Sequence, residues 1–162
     1  MVFQQAYQIR GLRPDDLSAI IEINRVCLPE NYTPAFFMDV YGNCPQAFLV
    51  AEIGGQIVGY SMCRLEFGFS DFDRLRMVRR GHLVSLAVLE PHRRQGVASA
   101  LVAHSLHALH SRGVKECFLE VRQANLAGVG LYRKLGFEVV RVLPCYYHDG
   151  ADALLMCRRL AS

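Results

Sequence analysis

Three observations in this 162-residue sequence predict an α/β fold with a mixed, mostly antiparallel sheet of about seven strands and helices on both faces. Short runs of branched and aromatic residues alternate with segments whose apolar residues recur every three or four positions, the periods of strand and helix. Gly54-Gly55 joins two apolar runs as a hairpin turn does. The elements follow the order βααβββαβαββ, and no repeat, linker or low-complexity tract interrupts them, so residues 1–162 are expected to form one domain.

Each element has a local reason. QQAYQIR (4–10) is a short first strand. PDDLSAIIEINRVC (14–27) is a helix: Pro14 suits a first turn, Asp15 and Asp16 favour the positive helix end, and Leu17, Ile20, Ile21 and Asn24 recur at helical spacing. Pro29 ends it. Thr33-Pro34 caps a second helix, PAFFMDVYG, which Gly42 is expected to close. AFLVAEI (47–53) and QIVGYSMCRL (56–65) are the hairpin strands, and EFGFSDFDRLRMVRR (66–80) is a longer loop. GHLVSLAVL (81–89) is a buried strand. GVASALVAHSLHALHSRG (96–113) is a helix with a core stripe of Val97, Leu101, Val102, Ser105, Leu106 and Leu109, ended by Gly113. KECFLEVR (115–122) is a strand. NLAGVGLYRKLG (125–136) is a helix capped by Asn125 and stopped by Gly136. FEVVRVL (137–143) and ADALLMCRRL (151–160) are the last strands.

Composition excludes several classes. At 52% hydrophobic and 20% charged the chain reads as globular. No apolar run approaches the roughly 20 residues of a membrane span. MVFQQAYQIR lacks the basic and apolar regions of a signal peptide, so a cytoplasmic protein is expected. A net charge of +3 is too weak to imply specific nucleic-acid binding. The six cysteines form no CxxC pair, which points to free, mostly buried thiols rather than zinc or disulfide chemistry. His104, His107 and His110 drift around their helix instead of converging like an HExxH pair, so they read as a solvated face and no metal is expected. The run RLRMVRR (74–80), mixed with Asp71 and Asp73, reads as a solvated loop.

One joint stands apart. PHRRQGVASA (91–100) puts a basic turn pivoting on Gly96 between a strand and a helix. The first turn of a helix presents unpaired N–H groups and partial positive charge, the arrangement that binds anions. The turn is neither a Walker loop nor a dinucleotide fingerprint, since GxxxxGK-S/T and GxGxxG are absent.

Arg93-Arg94-Gln95-Gly96-Val97-Ala98 matches the R/Q-x-x-G-x-G/A motif of the GCN5-related N-acetyltransferases. VSLAVLEPHRR ahead of it resembles that family's fourth strand, and LEVRQANLAGVGLYRKLGF resembles its N-x-x-A-x-x-L-Y-x-K-x-G-F signature. The resemblance covers nearly the whole chain. It implies acetyl-CoA as co-substrate, with its pyrophosphate on the amides of residues 94 to 98 beside Arg93 and Arg94. The pantetheine arm is then expected on the backbone of Leu86 and Val88, around Ala87, where two parallel strands splay apart. Asn125 helps hold that arm, and Tyr132 stands near the thioester sulfur.

Two further stretches bear on the acceptor. LPENY, Leu28-Pro29-Glu30-Asn31-Tyr32, resembles the hallmark loop of the catalytic subunit of the eukaryotic NatA complex and its archaeal relatives. CYYHDGADALLM (145–156) resembles their YY-x-DGEDA-x-x-M segment. The implied activity is protein N-terminal α-amino acetylation. Leu28, Pro29, Glu30, Tyr32, Tyr146 and Tyr147 are then substrate-binding, and protein N-termini or nascent chains are the partners, with a ribosome contact in addition. Acetylation of lysine or of a small amine is the alternative.

The reaction is amine attack on a thioester, and an α-amino group with a pKa near 8 needs only a modest base. By resemblance, Glu30 and His82 match positions assigned to proton removal, and Glu120 matches the glutamate proposed in bacterial relatives. Strand alternation puts His82 on one face with Val84 and Leu86, away from Ser85. A satisfied core histidine fits the same pattern, and Glu30 fits a role in shaping the pocket for the first side chain. Tyr132 is the expected donor to the departing thiolate. Two departures stand out: Ala151 replaces the glutamate of DGEDA, and Gly128 and Gly130 weaken the helix that carries Tyr132, at roughly 1 kcal/mol each against alanine.

Overall fold

The computed structural model describes residues 6–160. Among them the elements follow the predicted order: β1 (Gln8–Gly11), α1 (Leu17–Cys27), α2 (Pro34–Asn43), β2 (Phe48–Ile53), β3 (Gln56–Phe69), β4 (Met77–Val88), α3 (Val97–Ser111), β5 (Glu116–Arg122), α4 (Leu126–Lys134), β6 (Glu138–Leu143) and β7 (Ala153–Arg159). The strands lie in one seven-stranded sheet in the order β1-β2-β3-β4-β5-β7-β6. Pairing is antiparallel for β1–β2, β2–β3, β5–β7 and β6–β7, and parallel for β4–β5.

The chain divides into two compact units, one running to Arg64 and including Ser85–Ala108, the other holding Leu65–Val84 and the chain from Leu109. In the first, Gly54 (φ 55°) and Gly55 (φ 83°) are both left-handed, the requirement of a tight hairpin turn, and they close β2 onto β3. Leu49, Ala51, Ile53, Val58, Val88, Val97 and Leu101 form one apolar cluster, with Leu86 and Ala98 packed against it. The predicted stripe of α3 is buried from Val97 to Leu109, and Ser105 meets Ser61 at 2.8 Å. A Cβ on Gly59 would lie 2.9 Å from the Ala87 carbonyl oxygen, so glycine lets β3 approach the end of β4.

Arg10 on β1 makes a two-point contact with Asp16 (2.7 and 3.0 Å) and reaches Glu52 at 2.8 Å. Asp16 also accepts from the Arg13 amide at 2.7 Å. The Arg10 hydrogen bonds hold the Asp16 carboxyl below its ordinary value. A lowered carboxylate stabilises the fold above its ordinary pKa, and that contribution is lost as pH falls through the lowered value. Asp16→Asn is therefore expected to cost about 2 kcal/mol at pH 7. The gap between wild type and variant should begin to narrow as pH falls below ~4, the ordinary carboxylate value, and close only below the lowered one, as urea titrations from pH 7 downward would measure.

In the second unit, β5 pairs along its length with β7, and β7 with β6, where a bulge falls between Val139 and Arg141. Phe118, Leu155 and Cys157 form its apolar cluster, with Phe72, Val140 and Leu143 against them. A Cβ on Gly81 would meet Leu109 Cδ1 at 2.7 Å, so glycine admits the leucine to the strand surface.

Several boundaries differ from expectation. The first strand begins at Gln8, and residues 4 and 5 of the expected strand lie outside the described residues. In α1 the buried positions are Ile20, Ile23 and Asn24, while Leu17 and Ile21 are half-buried. Gly42 does not close α2, which continues to Asn43. The expected loop 66–80 is mostly strand, because β3 runs on to Phe69 and β4 starts at Met77. Arg80 is correspondingly no solvated loop cation: it pairs with Asp71 and lies 4.1 Å over the Phe118 ring. A charged run conceals a strand when cross-strand partners absorb its charges.

Among the thiols, Cys44, Cys63, Cys117 and Cys157 are buried, Cys27 is half-buried and Cys145 is exposed. His104, His107 and His110 are exposed. No helix of the described residues is long and apolar enough to cross a membrane.

Candidate active site

The basic joint folds as a 3₁₀ turn (Glu90–His92) leading into α3. Arg94 (φ 61°) and Gly96 (φ 80°) are left-handed, a geometry that turns successive N–H groups toward one concavity. Ala100 N donates back to the Gly96 carbonyl, so the amides just before it are those a helix cannot satisfy internally. No acidic residue stands in the first turn of α3. Residues 93–96 are exposed, Val97 is buried and Ala98 half-buried. The turn therefore fits an anionic phosphate group. Arg93 and Arg94 are both exposed, but they are not equivalent: Arg93 Nε donates to the Val88 carbonyl at 2.7 Å and braces the end of β4. The Cys27 thiol, 3.7 Å away, also points to that carbonyl.

The registered parallel pairing of β4 with β5 stops short of the stretch expected to hold the pantetheine arm. The parallel ladder joins Arg80 to Glu116, Gly81 to Cys117 and His82 to Phe118, and ends there, six residues short of the end of β4. Burial alternates along β4 as the sequence predicts: Leu83, Ser85 and Ala87 are buried, while His82, Val84 and Leu86 are half-buried on the other face.

The register brings His82 and Glu120 together. Phe118 is the cross-strand partner of His82, and Glu120 lies two residues further along the same face of β5. The imidazole stacks on the Phe118 ring, with centroids 4.4 Å apart and planes 8° from parallel, and its Nε2 lies 2.7 Å from the Glu120 carboxylate. In a neutral imidazole, donation from Nε2 to the carboxylate leaves the lone pair on Nδ1. This is a held histidine with one basic nitrogen uncommitted to Glu120.

Segment 28–32 has no regular structure but is tied down from beneath. Asn24 Nδ2 donates to the Glu30 carbonyl (3.1 Å) and to the Tyr60 hydroxyl (3.2 Å), and Asn24 Oδ1 accepts from the Tyr32 amide (3.2 Å). Tyr32 stacks on Phe36 at 4.7 Å and meets the edge of Phe37. Leu28, Glu30 and Tyr32 are half-buried and Pro29 is exposed. Asn24, Tyr60 and Ser85 escape prediction as site residues. Their one legible signal is an amide, Asn24, within an otherwise apolar helical stripe.

Asn125 caps α4 by accepting from the Gly128 amide at 3.0 Å, and a Cβ on Gly128 would lie 2.7 Å from its Nδ2. Gly128 thus costs helix propensity and makes room for the cap. Tyr132 is half-buried on α4, its ring edge toward Phe137 at 5.8 Å. Tyr146 and Tyr147 meet edge to face at 5.0 Å. Their loop is shaped by groups the sequence did not single out. Asp149 takes the Ala151 amide (3.0 Å) and Arg122 (2.9 Å), Asp152 takes the Cys145 amide (2.8 Å), and the Arg122 guanidinium covers the Tyr147 ring at 4.1 Å. The Ala151 amide, then Arg122, lowers the Asp149 carboxyl below its ordinary value. The two aspartates of DGADA are therefore loop-forming, and Ala151 contributes its backbone. A cleft of about 380 Å³ lined by Ser70, Asp71, Arg74, Arg80 and Arg141 among others contains none of the predicted site residues.

Residues 17–137 match the model of the acetyltransferase (GNAT) family. The N-alpha-acetyltransferase of Sulfurisphaera tokodaii is 47% identical over 156 residues, covering 95% of this chain and 93% of its own. Ard1 from Thermoplasma volcanium superposes with a TM-score of 0.84 at 30% identity, over 97% of this chain and 99% of its own. Arabidopsis thaliana Naa50, solved in complex with the bisubstrate analogue CoA-Ac-MVNAL, gives 0.81 at 25% identity, over 94% and 97%. With a phosphate-shaped turn ahead of α3, a parallel strand pair that opens after three registered positions and a family match over most of its length, this chain belongs to the GNAT acetyltransferases.

Proposed function

We propose that this protein is an archaeal-type N-alpha-acetyltransferase that moves the acetyl group of acetyl-CoA to the free amine of protein N-termini. The observation that carries the reading is the likeness to the S. tokodaii N-alpha-acetyltransferase along 95% of the chain. Residues 1–162 serve as one catalytic domain. Acetyl-CoA supplies an activated acetyl; the amine forms the new C–N bond as the C–S bond breaks.

The chain's own groups divide the work. The amides of residues 94–98 and the exposed Arg94 hold the pyrophosphate, and Gln95 and Val97 lend backbone. Arg93 holds the end of β4 and offers its remaining N–H groups. Because Arg93 already engages the Val88 carbonyl, the pantetheine arm falls to the other backbone groups of Leu86, Ala87 and Val88. Asn125 spends its oxygen on α4, so its amide nitrogen serves the arm. Segment 28–32 and the Tyr146–Tyr147 pair grip the first residues of the peptide. His82 Nδ1 takes a proton from the amine with Glu120 fixing the ring, Glu30 shares proton removal or shapes the first-residue pocket, and Tyr132 protonates the leaving thiolate. Nascent chains in the cytoplasm are the substrates, with a ribosome contact on the protein surface.

Acceptor choice is checked with a peptide panel of free or blocked N-termini, all containing lysine. Free α-amines should be acetylated, and blocking should reduce the rate on the order of a hundredfold or more, as expected when the attacking group itself is removed. Mass spectrometry placing the label on lysine instead would favour the lysine or small-amine reading.

A further inference from the structure

We propose that Asn24 is a positioning residue that sets the affinity for the acceptor peptide, by latching segment 28–32 onto a buried relay through Tyr60 to Ser85. This rests on the N-terminal acetyltransferase reading, in which that segment grips the peptide. Asn24 occupies a core position of α1 and is 1% exposed. An aliphatic side chain would fill such a position without the cost of burying an amide. Asn24 avoids that cost because both its donors and its oxygen have partners.

Two of those partners are the backbone of the peptide-gripping segment itself: the Glu30 carbonyl at 3.1 Å and the Tyr32 amide at 3.2 Å. The third leads inward. The Tyr60 hydroxyl, in a residue with no exposed surface, lies 2.7 Å from Ser85 Oγ. Burial pushes the Tyr60 phenol up to about 12, so it keeps its proton. With Asn24 donating to it, its own proton goes to Ser85. The hydrogen bonds thus run in one direction, from the segment's anchor to β4, and end one residue before Leu86.

The relay gives Glu30 a fixed main-chain position although its segment has no regular structure. Helix α1 and β4 are each held in the core, so segment 28–32 is strung over two rigid supports. Loss of the amide frees the backbone on both sides of Asn31, from the Glu30 carbonyl to the Tyr32 amide, while leaving the cofactor turn intact. Ordering that segment then becomes a cost of binding the peptide.

The test is steady-state kinetics with an N-terminal peptide, together with hydrogen exchange of residues 28–32. Asn24→Ala should raise the peptide KM about tenfold, in keeping with the loss of one to two buried hydrogen bonds, and speed exchange of the Tyr32 amide. The KM for acetyl-CoA should stay within about twofold, because the cofactor groups are untouched. Tyr60→Phe and Ser85→Ala change no residue of the segment, yet each should raise the peptide KM about threefold and speed the same exchange. A uniform loss of stability with peptide KM and Tyr32 exchange unchanged would overturn the latch. If Asn24→Ala does not fold, the other two variants decide it by the same two readouts. Wild type that labels lysine instead of α-amines would overturn the functional reading, while exchange in the three variants would still report on the latch.

Discussion

Gly96→Glu is expected to weaken acetyl-CoA binding by at least about a hundredfold while leaving the protein folded. Gly96 is left-handed at φ 80°, a conformation that costs other residues roughly 1–2 kcal/mol. Space is available, since the nearest atom to an added Cβ is the Tyr7 hydroxyl at 3.7 Å. Local strain of that size is compatible with folding. The larger effect is on the ligand. A carboxylate at this position sits among the first-turn amides, takes their hydrogen bonds for itself and repels a pyrophosphate. Gly96→Ala separates the two contributions: it keeps the strain, adds no charge and should lose only about tenfold. Calorimetry with acetyl-CoA measures both, and circular dichroism checks the fold. Unchanged affinity in Gly96→Glu would remove the cofactor assignment from this turn.

The second large effect concerns the proton. Removing a general base costs on the order of 10²–10⁴ in rate when one group carries the work alone. Work shared between Glu30 and His82 predicts smaller single losses, about tenfold to thirtyfold for Glu30→Gln and His82→Ala, and about a thousandfold for the double variant. Acetyl-CoA affinity should barely change in any of them. Raising the pH from 7 to 9 should partly restore the base variants, because an α-amine with a pKa near 8 is then largely deprotonated on its own. Tyr132→Phe should also slow turnover and should not be rescued this way, since it affects the leaving group.

The 2.7 Å contact between His82 and Glu120 adds a sharper expectation. If Glu120 acts by holding the imidazole, Glu120→Gln should slow the wild type but add almost nothing in the His82→Ala background. Full activity of both base variants across the pH range would make Glu30 and His82 structural and leave Glu120 as the base to test.

The order of strands and helices, the hairpin turn, the stripe of α3 and the basic strand–turn–helix joint were all legible in the sequence. Each rests on period, turn chemistry or capping, which act within a few residues of chain. The family resemblance was legible for the same reason: its motifs are contiguous. Tertiary structure alone decided what depends on register and packing between distant segments. It placed Glu120, 38 residues after His82, against that imidazole, where sequence offered two separate candidate bases. It gave Arg93, expected beside the pyrophosphate, a second task as a brace for β4, because its Nε found the Val88 carbonyl five residues back. It made strand of a charged run by giving Arg80 the Asp71 carboxylate and the Phe118 ring. It converted Asn24 from one more position on a helical face into the anchor of segment 28–32, because a buried amide must find partners, and those within reach lie on Glu30, Tyr32 and Tyr60.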